Sequence, residues 1–185
     1  EEKNQSNIIN SELNLNYNKY IYTDRPINRF KTKPKVEDIS TKLDELRNEI
    51  EKIENCELKK NASKIVFSDG NNRSKIMIVG EGPGQKEDQE GKPFVGEAGI
   101  LLNKMLKSIN IERKNVYITN VVNYRPPNNR KPEPAEIKKY SNFLRKHISI
   151  IDPKILILMG STAMESLFGS NIKITKERGS WKDII

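Results

Sequence analysis

Cysteine is all but missing from this 185-residue chain: Cys56 stands alone. No internal disulfide can form, and a reducing compartment, the cytoplasm, is the expected setting. Aromatic residues make up only 6%, too few for the broad stacking platform that holds single-stranded nucleic acid. Long apolar runs are missing too. The longest, Ile155–Met159, falls far short of the roughly 20 residues a bilayer crossing needs. The opening E-E-K-N-Q-S-N has neither the basic end nor the apolar core of a secretion signal. A soluble intracellular protein with no membrane partner is expected.

What the chain has in excess is positive charge. A formal net charge of +8 favours a polyanionic partner, nucleic acid first; a composition simply rich in Lys, Asn and Ile is the plainer reading. The length suits one domain with a real core. Residues 1–34, rich in Asn, Lys and Tyr without a sustained period, read as a poorly ordered basic arm, and residues 35–185 as the domain. Leu43, Leu46, Ile50 and Ile53 fall at helical steps and predict a helix ending near Asn55. Three nearly continuous apolar runs, Lys75–Val79, Val116–Val122 and Lys154–Met159, have the character of strands covered on both faces of a parallel sheet. Between them lie two helical stripes: Ala98, Leu101, Leu102, Met105 and Ile109, then Ile137, Tyr140, Leu144, Ile148 and Ile151. Ser161 reads as the N-cap of a short final helix closed by Gly169. Strand–helix alternation of this kind implies a three-layer α/β/α sandwich with right-handed crossovers. Ligands of such sheets lie beyond the carboxyl ends of the strands, here the loops after Val79 and Val122.

Those loops hold the unusual residues. Gly80, Gly82 and Gly84 permit a sharp turn and close approach to a ligand. As a phosphate-binding fingerprint, however, G-E-G-P-G fails, since its third glycine is misplaced and Pro83 removes a donor. Glu81, at a strand's carboxyl end, is a candidate for acid–base work or water positioning under partial desolvation. Glu87 and Asp88 stay open between solvated surface and helix-starting acids of functional weight. Phe94, held in G-K-P-F-V-G, suits stacking on a nucleobase, with ordinary core packing as the alternative. Asn120 offers one acceptor and two donors, enough to read the amide edge of a pyrimidine, and could equally be a turn residue. Arg125, Arg130 and Lys131 stand among four prolines in Y-R-P-P-N-N-R-K-P-E-P, a stiff presentation that suits phosphate contact. The lone histidine, His147, reads as a packing residue at the edge of a helix stripe.

Taken together, the blocks G-E-G-P-G-x-x-E-D-x-x-G-x-P-F-V-G-x-A-G-x-L-L, V-Y-I-T-N-V-V-x-x-R-P-P-x-N-R-x-P and D-P-K-I-L-I-L-M-G resemble the family 4 uracil-DNA glycosylases over about residues 53–185. The resemblance implies an α/β/α fold with a four-stranded parallel sheet. It also implies base excision repair, in which the N-glycosidic bond of a flipped-out uracil in DNA is hydrolysed. On that resemblance Glu81 and Gly82 line the pocket near the attacking water and the uracil, Phe94 stacks on the base, and Asn120 bonds its edge. Arg125, Arg130 and Lys131 are the expected DNA contacts. The family's 4Fe–4S cluster is held by four cysteines, whose positions here read Ile53, Cys56, Tyr124 and Tyr140. One thiolate cannot hold it, so no cofactor is expected, with the tyrosines and Ile53 filling the space. The family's further strand and its H-P-x-x-L-L block find no counterpart before Ile185. The expectation is a sheet without its final edge strand, with Ile155–Met159 an unpaired apolar edge and the chain weak or inactive alone. Its rivals are a split enzyme completed by a separate C-terminal polypeptide, and a non-catalytic remnant that binds DNA or protein.

Overall fold

The computed structural model describes residues 38–183; the arm expected over residues 1–34 lies outside them. Within the described residues the first helix, α1 (Ile39–Glu51), is followed by the single turn α2 (Glu57–Asn61). A sheet of four strands then alternates with helices: β1 (Ser68–Gly70), β2 (Ile76–Gly80), α3 (Gln85–Glu90), α4 (Glu97–Ser108), β3 (Tyr117–Asn120), α5 (Pro134–Ile151), β4 (Ile155–Leu158), α6 (Ser161–Phe168) and α7 (Ile174–Glu177). No helix among the described residues is long and apolar enough to cross a membrane.

Strand order is β1-β3-β2-β4. The three apolar runs supply the parallel part: β2 pairs with β3 through Ile78↔Ile118 and with β4 through Ile78↔Ile157. The short β1 adds an antiparallel edge against β3. Side chains alternate across the sheet. Met77, Val79 and Tyr117 join the larger core with Leu46 and Ile50 of α1, Tyr140 and Leu144 of α5 and Leu167 of α6. Ile78 and Ile118 face the other way, against Leu102 and Leu106 of α4. The α/β/α sandwich expected from the sequence is therefore in place. Because α4 and α5 cover opposite faces while their crossovers run in opposite directions, both crossovers have the same hand.

Three local expectations are corrected. The buried face of α4 is Gly99, Leu102 and Leu106, whereas Leu101 is 58% and Ile109 62% exposed. Apolar residues surround this helix, so periodicity alone could not pick the inward stripe; Gly99 picks it, because a Cβ there would strike the Phe94 carbonyl. The cap of α6 is Gly160 at φ 95°, with Ser161 already inside the helix. Nor is α6 the last helix, since α7 follows. Strand β4 is the edge of the sheet among the described residues, and its Ile155 and Ile157, on the α4 side, are exposed.

Candidate active site

Two neighbouring strands leave the sheet in opposite directions: after β2 the chain crosses towards α4, and after β3 towards α5. The crevice between their carboxyl ends is the place where open α/β sheets bind ligands. Its floor is the register pair Gly80↔Asn120. Around it lies a cleft of about 320 Å³, whose lining includes Gly80, Glu81, Gly82, Phe94, Asn120 and Met159. The structure thus gathers Glu81, Gly82, Phe94 and Asn120, drawn from three separate segments, around one space.

Each wall has a physical reason. A Cβ at Gly80 would lie 2.5 Å from Asn120 Oδ1 and 2.6 Å from Phe94 Cζ, so only glycine lets the ring and the carboxamide share the floor. At Gly82 a Cβ would press on Val122 Cγ2 at 2.6 Å. Asn120 is 4% exposed, and its carboxamide makes no hydrogen bond to the described residues. No buried side-chain nitrogen or oxygen of the described residues lacks a partner, so the carboxamide is not sealed in: its polar end meets the cleft that it lines, open to whatever enters. Phe94 is half-buried, its ring set against the α4 core, and its backbone is left-handed at φ 52°. That conformation costs a non-glycine residue about 1–2 kcal/mol, which the loop must offset. Glu81 differs from expectation: it is exposed rather than desolvated, and it is oriented by the fully buried Thr162 of α6, whose hydroxyl donates to Oε2 at 2.5 Å.

The acidic pair Glu87 and Asp88 resolves into scaffold. Glu87 accepts the amides of Gly84 (3.2 Å), Val95 (2.9 Å) and Gly96 (2.7 Å), tying the glycine turn to the Phe94 loop. Asp88, 3% exposed, accepts the amides of Ser63 and Lys64. Sequence spacing hinted at the first of these, since an acid three residues after a helix cap reaches back to it. Nothing local pointed to Arg113. Its guanidinium donates to the Pro93 carbonyl (2.6 Å), the Phe94 carbonyl (3.0 Å), Asp69 Oδ2 (2.7 Å) and Asn103 Oδ1 (3.3 Å).

The proline-rich loop presents its cations unequally. Arg130 is bound through its two terminal guanidinium nitrogens to Glu136, at 2.8 and 2.7 Å, which holds the Glu136 carboxyl below its ordinary range. Arg125 bonds Asn129 at 2.7 Å, and Lys131, more than half exposed, lies 3.9 Å from Glu165. Arg125 and Lys131 keep their charge open to the loop surface, while Arg130 is committed to the start of α5. His147 lies far from the cleft, 2% exposed, stacked on Phe67 and hydrogen-bonded through Nε2 to the Tyr117 hydroxyl at 2.6 Å. Burial lowers it to about 3, so it is neutral and packs.

The four positions at which the resembled family binds iron also come together. Ile53, Cys56, Tyr124 and Tyr140 belong to one apolar cluster, and Cys56 Sγ lies 3.3 Å from Tyr140 Oη. Burial pushes the Tyr124 phenol up to about 12, helped by the Glu51 carboxylate, and raises Tyr140 as well. Protonated phenols are poor iron ligands, a 4Fe–4S core needs thiolates, and two positions in direct contact leave no gap between them. These residues do not fit the cluster. Among the described residues no group of three or more His, Cys, Asp or Glu could hold a metal ion.

Comparison with known proteins gives the family. A profile of the uracil DNA glycosylase superfamily matches residues 67–184. The type-4 uracil-DNA glycosylase of Thermotoga maritima is 44% identical over 132 residues, 71% of this chain and 69% of that protein. Its counterpart from Archaeoglobus fulgidus is 43% identical over 126 residues, 68% of this chain and 63% of its own length. A DNA polymerase of Bacillus phage SP01 is 36% identical over 116 residues, 62% of this chain but only 12% of the polymerase.

Proposed function

Because this chain belongs to the uracil-DNA glycosylase superfamily, in its type-4 family, we propose that it hydrolyses the N-glycosidic bond of uracil flipped out of DNA. The observation that carries the reading is Asn120, a nearly buried residue whose carboxamide meets the cleft with no partner among the described residues, set opposite Gly80 beside the Phe94 ring. A flipped pyrimidine enters the cleft with its face on Phe94 and offers Asn120 the N3–H and O4 edge. Glu81, held by Thr162, accepts a hydrogen bond from the water that attacks C1′ and takes its proton as the C1′–O bond forms, passing it on to solvent. The C1′–N1 bond breaks with its electron pair going to uracil. Arg125 and Lys131 contact the DNA backbone.

The leaving base carries negative charge, and preorganised donors are what lower such barriers. No Lys, Arg or His is among the described residues that line the cleft, whereas Glu81, Glu87 and Glu97 are. On this reading the described residues supply groups that bind uracil but no cation that draws it off, and the chain alone is a weak glycosylase or an inactive one. A second polypeptide that pairs with the edge β4 forms among the described residues and brings a donor is the split-enzyme reading, favoured by the exposed Ile155 and Ile157. Cys56, Tyr124 and Tyr140 serve as packing in place of an iron–sulfur cluster.

Uracil release from single-stranded and duplex DNA, with and without an added peptide carrying H-P-x-x-L-L, tests the reading. Little release alone and rescue by the peptide is the expected result. Vigorous release by the chain alone overturns the weak-enzyme reading. Salt-sensitive DNA binding without uracil preference or rescue leaves a binding remnant. The same preparation is expected to be colourless, and a brown one overturns the cluster-free reading.

A further inference from the structure

The Phe94 ring is held by two charged side chains that grip the backbone of its loop from opposite ends. Glu87 accepts the amides of Val95 and Gly96. Arg113, in the turn just before β3, donates to the two preceding carbonyls, Pro93 and Phe94. Four consecutive residues thus have a backbone polar group fixed by an acid or a base. The left-handed Phe94 lies inside that stretch, and such a conformation persists only where its surroundings over-determine it. Arg113 is itself fixed by Asp69 of β1 at 2.7 Å and Asn103 of α4 at 3.3 Å. The Phe94 carbonyl is enclosed on its other side by Gly99, where no Cβ fits.

We propose that Arg113, backed by Asp69, is a positioning residue for base recognition: it fixes the Phe94 carbonyl so that the ring stands over Gly80 at the height of a flipped base. The proposal rests on the uracil reading of the cleft. A planar guanidinium holds two adjacent carbonyls and a carboxylate in one rigid fork, whereas an ammonium on a flexible stem holds its partners less firmly. Without the bridge the loop relaxes towards ordinary backbone geometry and the ring leaves the cleft wall. Direct contact with DNA plays no part in this role, so uracil-independent DNA binding is unaffected.

The test compares affinity for a labelled single-stranded oligonucleotide with one uracil against the same oligonucleotide with thymine. Arg113→Ala is expected to lower the uracil-to-thymine ratio by about tenfold or more, with thymine-oligonucleotide binding unchanged; Arg113→Lys falls in between. A ratio kept by Arg113→Ala overturns the proposal. Should that variant not fold, Asp69→Asn, which leaves both carbonyl bonds possible, is read by the same ratio. Amide hydrogen exchange gives an independent reading. Val95 and Gly96 should exchange faster in Arg113→Ala while the β3 amides stay protected, and unchanged protection overturns the proposal. If the unmodified chain does not distinguish the two oligonucleotides, the uracil reading fails, and the exchange data still decide whether Arg113 fixes the loop.

Discussion

Gly80 and Asn120 act as a pair, and two substitutions separate their roles. The Asn120 carboxamide has no hydrogen bond to the described residues to lose, so Asn120→Ala should abolish uracil preference while changing stability by less than about 1 kcal/mol. Gly80→Ala should also abolish it, by displacing the Phe94 ring and the Asn120 oxygen, but at a cost of about 1–3 kcal/mol typical of overpacking. Oligonucleotide binding beside urea denaturation measures both, and equal stability costs would contradict the assignment. Phe94 and Asn120 were legible in the sequence because their chemistry is local: a ring between Pro93 and a glycine, an amide at a strand's end. Arg113 and Thr162 were not. Their partners lie 10 to 44 residues and 81 residues away, and no spacing rule reaches so far.

Among the elements, the ones with a single reading were legible. β2, β3 and β4 stand where nearly continuous apolar runs read as strands, but only β2 and β3 are covered on both faces, while β4, at the edge, leaves Ile155 and Ile157 exposed. β1, Ser-Asp-Gly, has no apolar signature; pairing with β3 makes it a strand, so it could not be read in advance. α4 was recognisable as a helix but not by its buried face, because Ile100, Leu101, Met105 and Ile109 all point outward. This register has a direct test. Leu102→Ala, at 5% exposure, should cost about 2–5 kcal/mol, and Leu101→Ala less than about 1 kcal/mol. Urea midpoints in which Leu101→Ala is the costlier change would reverse the assigned face.

At the scale of the whole molecule, His147 joins the helical layer to the sheet through Tyr117 and Phe67. Its folded-state value is lowered from 6.5 to about 3. The unfolded chain takes up a proton near 6.5 that the native state refuses, so this contribution is complete above that pH and is lost as pH falls. Between about pH 6 and pH 4 it removes up to about 1.4 kcal/mol per pH unit. His147→Gln, which keeps an acceptor for Tyr117, should lose stability less steeply over that interval in urea denaturation; parallel slopes would show that His147 is not the acid-sensitive group. The two strands that carry the floor of the cleft cross this same core side by side, about 4.8 Å apart as the backbone ladder dictates. The Gly80 and Asn120 backbones are therefore the fixed jaw of a caliper, whose spacing the sheet ladder sets. The loop that carries Phe94 is the movable jaw, and any descendant of this protein that came to accept a bulkier base would have had to open it there.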